Sequence, residues 1–152
     1  MNTDYYYSPF GVIEIRATEK ALTNLSFIKE YQSAKTSDNM IIKKTIEQLT
    51  EYFEGKRKTF DIPLTPQGTE FQKKVWNALL EIPYGEVVSY ASLAKTIDQP
   101  KACRAVGSAN GKNPIAIIIP CHRVIASDKS LGGYAYGLTI KKDLLLLEKA
   151  IK

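Results

Sequence analysis

Cys121 and His122 stand side by side, a nucleophile next to the one imidazole in the chain. A cysteine reacts as its thiolate, and at neutrality that form needs a nearby base or positive charge. His122 is the imidazole at hand. On a strand, adjacent side chains point to opposite faces. Direct contact therefore needs a turn, which Pro120 can supply, or a bridging water. Cys103 is the only other cysteine. Two cysteines in 152 residues do not resemble a secreted disulfide framework. With a single histidine they cannot complete the ligand set of a structural zinc site, and no metal is expected. The longest apolar run is far short of a membrane span, and no basic-then-apolar leader opens the sequence. No membrane partner is expected, and a cytoplasmic location is the default.

The elements that must hold Cys121 can be read outward from it. Asn113-Pro114-Ile115-Ala116-Ile117-Ile118-Ile119-Pro120 is a β-branched apolar run ended by a proline. It predicts a fully buried strand, which Pro120 ends or edges because it has no N–H to give a ladder. Upstream, residues 5–16 read as strand around a Ser8-Pro9-Phe10-Gly11 turn, and Leu22 to Ile28 as a second strand. Residues 31–38 are polar and loop-like. Asp38 is placed to cap a helix carrying Ile42, Ile46, Leu49 and Phe53 on one stripe. Lys56-Arg57-Lys58 closes that helix as solvated charge. Phe60 to Leu64 is extended, and Thr65-Pro66-Gln67-Gly68 is the candidate linker. The expected division is 1–65, a small support domain, and 66–152, the domain with the chemistry.

In the second part Thr69 and Gln72 form a capping box. Its helix carries Phe71, Val75, Ala78 and Leu79, with Trp76 in the core, and stops before Pro83. Ser89 caps a helix from Tyr90 to about Ile97. Pro100 suits the first position of another, running to about Ala109. Two short helices with a tight break resemble a helix-turn-helix. A turn-rich segment, Ser127–Gly137, leads to a last helix with Ile140, Leu144, Leu147 and Ile151 on one side.

Charge separates the two parts. Residues 1–65 hold nine Lys/Arg and nine Asp/Glu, whereas residues 66–152 hold twelve and seven, the whole net +5. A basic second part points to a polyanion. The segment Lys101-Ala102-Cys103-Arg104-Ala105-Val106-Gly107 nevertheless offers little with which to read base edges. Small side chains let a helix lie close in a groove and insert one arginine, Arg104, with little sequence preference. Packing of small residues against neighbouring helices, with Arg104 in a salt bridge, is the other reading of the same segment.

Ile119-Pro120-Cys121-His122-Arg123-Val124 resembles the active-site signature of the O6-alkylguanine-DNA alkyltransferases. Arg104-Ala105-Val106-Gly107, Asn113-Pro114, Gly85-Glu86-Val87-Val88-Ser89-Tyr90 and the Gly133-Tyr134 turn stand in the family's order and spacing. The Ser8-Pro9-Phe10-Gly11 turn is similar to its N-terminal part, so the resemblance covers nearly the full chain. It implies an α+β protein: a small N-terminal α/β, ribonuclease H-like domain, then a winged helix-turn-helix-type domain with the active site. It also implies single-turnover repair, in which an alkyl group on guanine O6, or on thymine O4, passes from double-stranded DNA to Cys121 and stays there.

The implied roles follow from matching positions. His122 takes the thiol proton through a water, Glu148 polarises His122, and Asn113 holds the strand and turn at the site. Tyr90 gives a proton to guanine N3. Arg104 fills the gap left by a flipped nucleotide, and Ala102, Cys103, Gly107, Ser127 and Tyr134 meet DNA or the base. The carbonyls of Cys121 and Val124 receive the guanine amine, and the Ala135 amide donates to O6. No cofactor is implied. The partner is duplex DNA bound through the minor groove, by a monomer from a prokaryotic source. Taken singly, Glu148 is a surface helix glutamate, Tyr90 a core tyrosine and Asn113 a turn former. The chemistry is coherent: a base inside a duplex must be extruded to reach a thiolate, and something must occupy the hole.

Arg123 is expected to form a buried ion pair with the first part. Ala116 stands where some members have proline and Tyr136 where some have glycine, so both should crowd or reshape the alkyl pocket. Two rival readings remain at this stage: a winged-helix regulator with a structural Cys121, and a cysteine hydrolase, which would turn over repeatedly.

Overall fold

A computed structural model describes residues 1–30 and 37–152 of the chain. Its Cα atoms separate into two compact units, Met1–Gln67 with Pro114–Ala116, and Gly68–Asn113 with Ile117–Lys152.

The first unit is built on an antiparallel sheet of β1 (Asn2–Ser8), β2 (Gly11–Ala17) and β3 (Leu22–Ile28), in that order. Pro9 and Phe10 form the tight turn between β1 and β2, whose pairing closes at Ser8 opposite Gly11. Alternation along β2 buries Ile13, Ile15 and Ala17. Helix α1 (Met40–Phe53) covers this apolar face. Asn39, not Asp38, is its cap: the Asn39 Oδ1 accepts from Ile42 N at 2.9 Å while its Nδ2 donates to Thr18 O at 2.9 Å. Asp38 is one residue too early to reach the first free amides.

The stripe of α1 is also rotated from the expected one. Ile42, Thr45, Gln48, Leu49 and Tyr52 are buried, and Ile46 and Phe53 only half-buried. Gln48 can face inward because it exchanges two hydrogen bonds with the backbone of Asp61. The extended piece before the linker pairs through Leu64 with Leu22, and Ile115 pairs with Leu25. The loop expected over 31–38 falls largely on residues 31–36, outside the described residues.

The second unit is mainly helical. Helix α2 (Glu70–Leu79) starts at the reciprocal Thr69–Gln72 capping box, as expected. Trp76 is 2% exposed and its Nε1 donates to Ala109 O at 2.8 Å, which ties α2 to the core. The two-residue strand β4 (Val88–Ser89) leads into α3 (Tyr90–Thr96), capped by the Ser89 side chain on Ser92 N. Helix α4 runs over Cys103–Gly111 and does not begin at Pro100. Gln99–Ala102 is instead a turn closed by Ala102 N on Gln99 O at 2.9 Å. Its second position suits the fixed φ of proline as well as a helix start does. Strand β5 (Val124–Ile125) pairs in parallel with β4, and α5 (Leu138–Leu147) ends the fold.

The isoleucine run is not a strand. Only Ile115 makes a bridge, and residues 116–119 turn, with Ile117 at φ 68°. A β-branched residue in the left-handed region costs on the order of 1–3 kcal/mol and persists only where surroundings over-determine it. Here Ile115, Ala116, Ile117, Ile118 and Ile119 are all buried. Apolar burial was legible, but the periodicity of a short run cannot tell a buried strand from a buried turn.

Candidate active site

Cys121 opens a single turn of 3₁₀ helix, Cys121–Arg123, with Pro120 at its cap position. The turn is held by Cys121 N on Ile119 O at 2.8 Å and Arg123 N on Pro120 O at 3.0 Å. Two asparagines at the end of α4 clamp it. Asn113 Nδ2 donates to Ile119 O at 2.7 Å, and Asn110 Nδ2 to Cys121 O at 3.3 Å. The thiol is only 5% exposed. Burial pushes its acidity down, so its pKa is raised, against the opposing pull of the Asn113 amide and the Lys141 charge. At rest the sulfur is therefore held as a thiol.

The next two residues of the chain enter a buried ionic cluster. His122 is fully buried, and its Nε2 is 2.8 Å from Glu148 Oε2. Burial pushes the His122 pKa down, helped by the charges of Arg123 and Lys141 and opposed by Glu148. Burial alone would raise the Glu148 carboxyl, but hydrogen bonds and charges from His122 and Arg123 hold it down at about 2. A carboxylate can only accept. The Nε2 therefore carries the proton and donates, which leaves Nδ1 bare. That nitrogen is buried and makes no hydrogen bond within the described residues. Among the described residues Arg123 pairs within its own unit, not with the first part as expected. Its Nε donates to Glu148 Oε1 at 2.8 Å, its Nη2 to Oε2 at 3.1 Å and its Nη1 to Ile82 O at 2.7 Å. Glu148, at the cap of α5, gives Arg123 a partner in its own unit and is buried rather than at the surface.

A cavity of about 300 Å³ opens beside the sulfur. Its walls bring together Tyr90, Gly107, Asn113, Cys121, Tyr134, Ala135 and Tyr136, all singled out in the sequence, with Asn110. The size falls at the lower end of small-ligand sites, on the order of 300–1,000 Å³. Burial raises the Tyr90 pKa and the Cys121 sulfur adds to it, with the Gly133 amide opposing, so the phenol stays protonated. The Tyr134 hydroxyl is buried against the Cys121 thiol.

The remaining candidates lie elsewhere. Arg104 is exposed in the first turn of α4, Cys103 half-exposed before it, and Ala102 at the cap position. Val124 is buried in β5, and Ser127 is exposed in the following turn.

Two residues escaped the sequence reading. One is Asn110. The other is Lys141, fully buried, whose Nζ donates to the carbonyls of Val124, Leu131 and Gly133. It also stands 6.0 Å from the centre of the Tyr90 ring. Burial brings its pKa down to about 8, with the Cys121 sulfur opposing. The buried face of α5 is therefore Lys141, Leu144 and Leu145, with Ile140 and Leu147 half-buried; the helix ends at Leu147, so Ile151 lies beyond it rather than on its stripe as expected. A lysine three residues before a core leucine on an apolar helix was the available signal.

Known proteins with the same features are consistent across sequence and fold. Residues 1–66 match the family model described as "6-O-methylguanine DNA methyltransferase, ribonuclease-like domain", and residues 70–150 match "6-O-methylguanine DNA methyltransferase, DNA binding domain". The methylated-DNA–protein-cysteine methyltransferase of Methanosarcina mazei is 52% identical over 95% of this chain and 97% of its own. The protein of that name from Mycobacterium tuberculosis is 46% identical over 94% of this chain and 89% of its own. The crystal structure of Mycobacterium tuberculosis OGT in complex with DNA superposes with a TM-score of 0.90, 44% identity, and 99% and 94% coverage of the two chains.

Proposed function

The chain belongs to the 6-O-methylguanine DNA methyltransferase family, and from that premise we infer that it repairs DNA by moving an alkyl group from guanine O6 to Cys121. The observation that carries this reading is a cysteine on a cavity of about 300 Å³, backed by an imidazole–carboxylate pair 2.8 Å apart. The C–O bond to the alkyl carbon breaks and a C–S thioether forms. The thiol proton leaves through a water to the bare Nδ1 of His122, whose new charge Glu148 faces. Tyr90 protonates the departing guanine at N3 and regains its proton, so over the cycle the thiol proton ends on the base. Asn113 supports the step by fixing the turn that carries the sulfur. The thioether is stable, so each molecule acts once.

A base reaches Cys121 only when extruded from the duplex, at a cost of about a few kcal/mol. Exposed Arg104 supports a reading in which its side chain occupies the vacated space. Ala102, Cys103 and Gly107 present small surfaces to the minor groove, and Ser127 meets the backbone. Tyr134, the Ala135 amide and the Cys121 and Val124 carbonyls meet the base. The net +5 of residues 66–152 favours phosphates without favouring a sequence. Residues 1–65 act as the support for this domain. The reading extends to O4-alkylthymine as a second lesion, to a monomer, and to the cytoplasm of a prokaryote.

The test is to mix the protein with a duplex carrying one O6-methylguanine and weigh the intact protein. One methyl in place of one hydrogen is expected, retained in Cys103→Ser and lost in Cys121→Ser. Repeated turnover, or an unchanged mass at stoichiometric excess of lesion, overturns the reading.

A further inference from the structure

Glu148 by itself would spoil His122 as a base. A lone buried carboxylate 2.8 Å from Nε2 favours the imidazolium, which has no lone pair left for a thiol proton. Burial of the ring opposes that first, and the neighbouring guanidinium adds to the opposition. Arg123 grips both carboxylate oxygens, Nε on Oε1 at 2.8 Å and Nη2 on Oε2 at 3.1 Å. Its third nitrogen is pinned by Ile82 O at 2.7 Å, and its head stands 5.8 Å from the centre of the Tyr84 ring. Arg123 is itself buried, so little solvent screens it.

We propose that Arg123 is a positioning residue for proton transfer: its fork on Glu148 holds His122 as the neutral, Nε2-protonated imidazole with Nδ1 free to accept. The inference rests on the reading that His122 receives the proton of Cys121. The charged and titratable groups around the ring support it. Arg123 and Lys141 both disfavour the imidazolium, burial does so more strongly, and only Glu148 favours it. Tyr84 and Tyr134 stand near Glu148 as neutral phenols: burial raises both pKa values, Glu148 adds to it at Tyr84, and Cys121, Tyr136 and then Glu148 add to it at Tyr134. A lysine at 123 would keep the charge but lose the fork, because an ammonium is a point donor.

This chain has one histidine, so its ring signals are unambiguous. Isotope-edited NMR of the full chain is expected to show a wild-type ring in the Nε2–H form that does not titrate between about pH 5 and 8. In Arg123→Met the ring should titrate inside that window. The single-turnover rate should then be lost by about tenfold at pH 6 and largely recovered at pH 8, since a shift of one pH unit in an essential base is a factor of about ten. Arg123→Lys should slow transfer with a smaller change in the ring. A wild-type ring that titrates near its ordinary value overturns the proposal without any variant. So does a folded Arg123→Met, or a folded Arg123→Lys if the methionine variant does not fold, whose rate falls equally at every pH while the ring stays neutral. A wild type with the expected ring that leaves O6-methylguanine untouched would sink only the repair reading. Transfer by a wild type with a titrating ring would sink only the role of Arg123.

Discussion

At the residue scale, the two side chains that the sequence hid are the polar ones facing inward. Lys141 satisfies three carbonyls, of Val124, Leu131 and Gly133, that are otherwise left without this donor. Lys141→Met keeps the bulk of the stem and removes the donor. It should destabilise by about 2 kcal/mol, the cost of leaving buried acceptors unpaired, in a urea titration. Transfer should slow as well, because the Leu131–Gly133 segment lies against Tyr90, and a Cβ added at Gly132 would come within 3.0 Å of that ring. A second prediction concerns Tyr136, which lines the cavity and meets Tyr134 edge to face at 5.5 Å. Ala116, the other departure from the family pattern, is fully buried in the first unit. Wild type should label more slowly with benzylguanine than with methylated DNA, and Tyr136→Gly should narrow that gap. Equal rates in the wild type would remove crowding as a factor.

At the element scale, local signals with their own chemistry were legible. The Thr69–Gln72 box, the Ser89 cap and strand β3 stand where the residues placed them, because each is decided by neighbours a few positions away. Gly68 adds a tertiary constraint to the first of these. A Cβ there would lie 2.4 Å from Trp76 Cη2 and 2.7 Å from Gln72 Oε1. Gly68→Ala must therefore displace the buried indole or break the box. A loss of about 1–3 kcal/mol in urea unfolding is expected, the usual range for overpacking. The isoleucine run went the other way. Its composition fits a strand, yet Asn113 Nδ2 takes Ile119 O and the chain turns at Ile117. The asparagine stands in the same stretch, six residues before its acceptor, but apolar periodicity carries no trace of a bond from a side chain to the backbone.

At the scale of the whole molecule, the ionic cluster ties acid stability to the site. His122 has its pKa lowered in the fold, so below its ordinary value near 6.5 the unfolded chain binds a proton that the native one does not. Glu148 is held at about 2 against an ordinary 4.5, so its contribution is present above 4.5 and lost as pH falls toward 2. The urea midpoint should thus decline below about pH 6.5, and again below about pH 4.5. His122→Gln should lose the first step and keep the second. A wild type with a flat midpoint from pH 7 to 5 would contradict the neutral buried imidazole.

Cys121 and its neighbouring imidazole, the capped helices, the short sheet and the basic bias of residues 66–152 can all be read along the chain. Adjacency, capping and composition are local properties, and each signal lies within a few residues. What those residues do to one another emerges in the fold. It gave Arg123 to Glu148 rather than to the first unit and buried Lys141 where a hydrocarbon stripe was expected. It also made the run before Cys121 a turn. The reason is that charge pairing and hydrogen-bond satisfaction inside a protein depend on which distant groups arrive at the same low-dielectric site. Spacing along the chain does not encode that meeting.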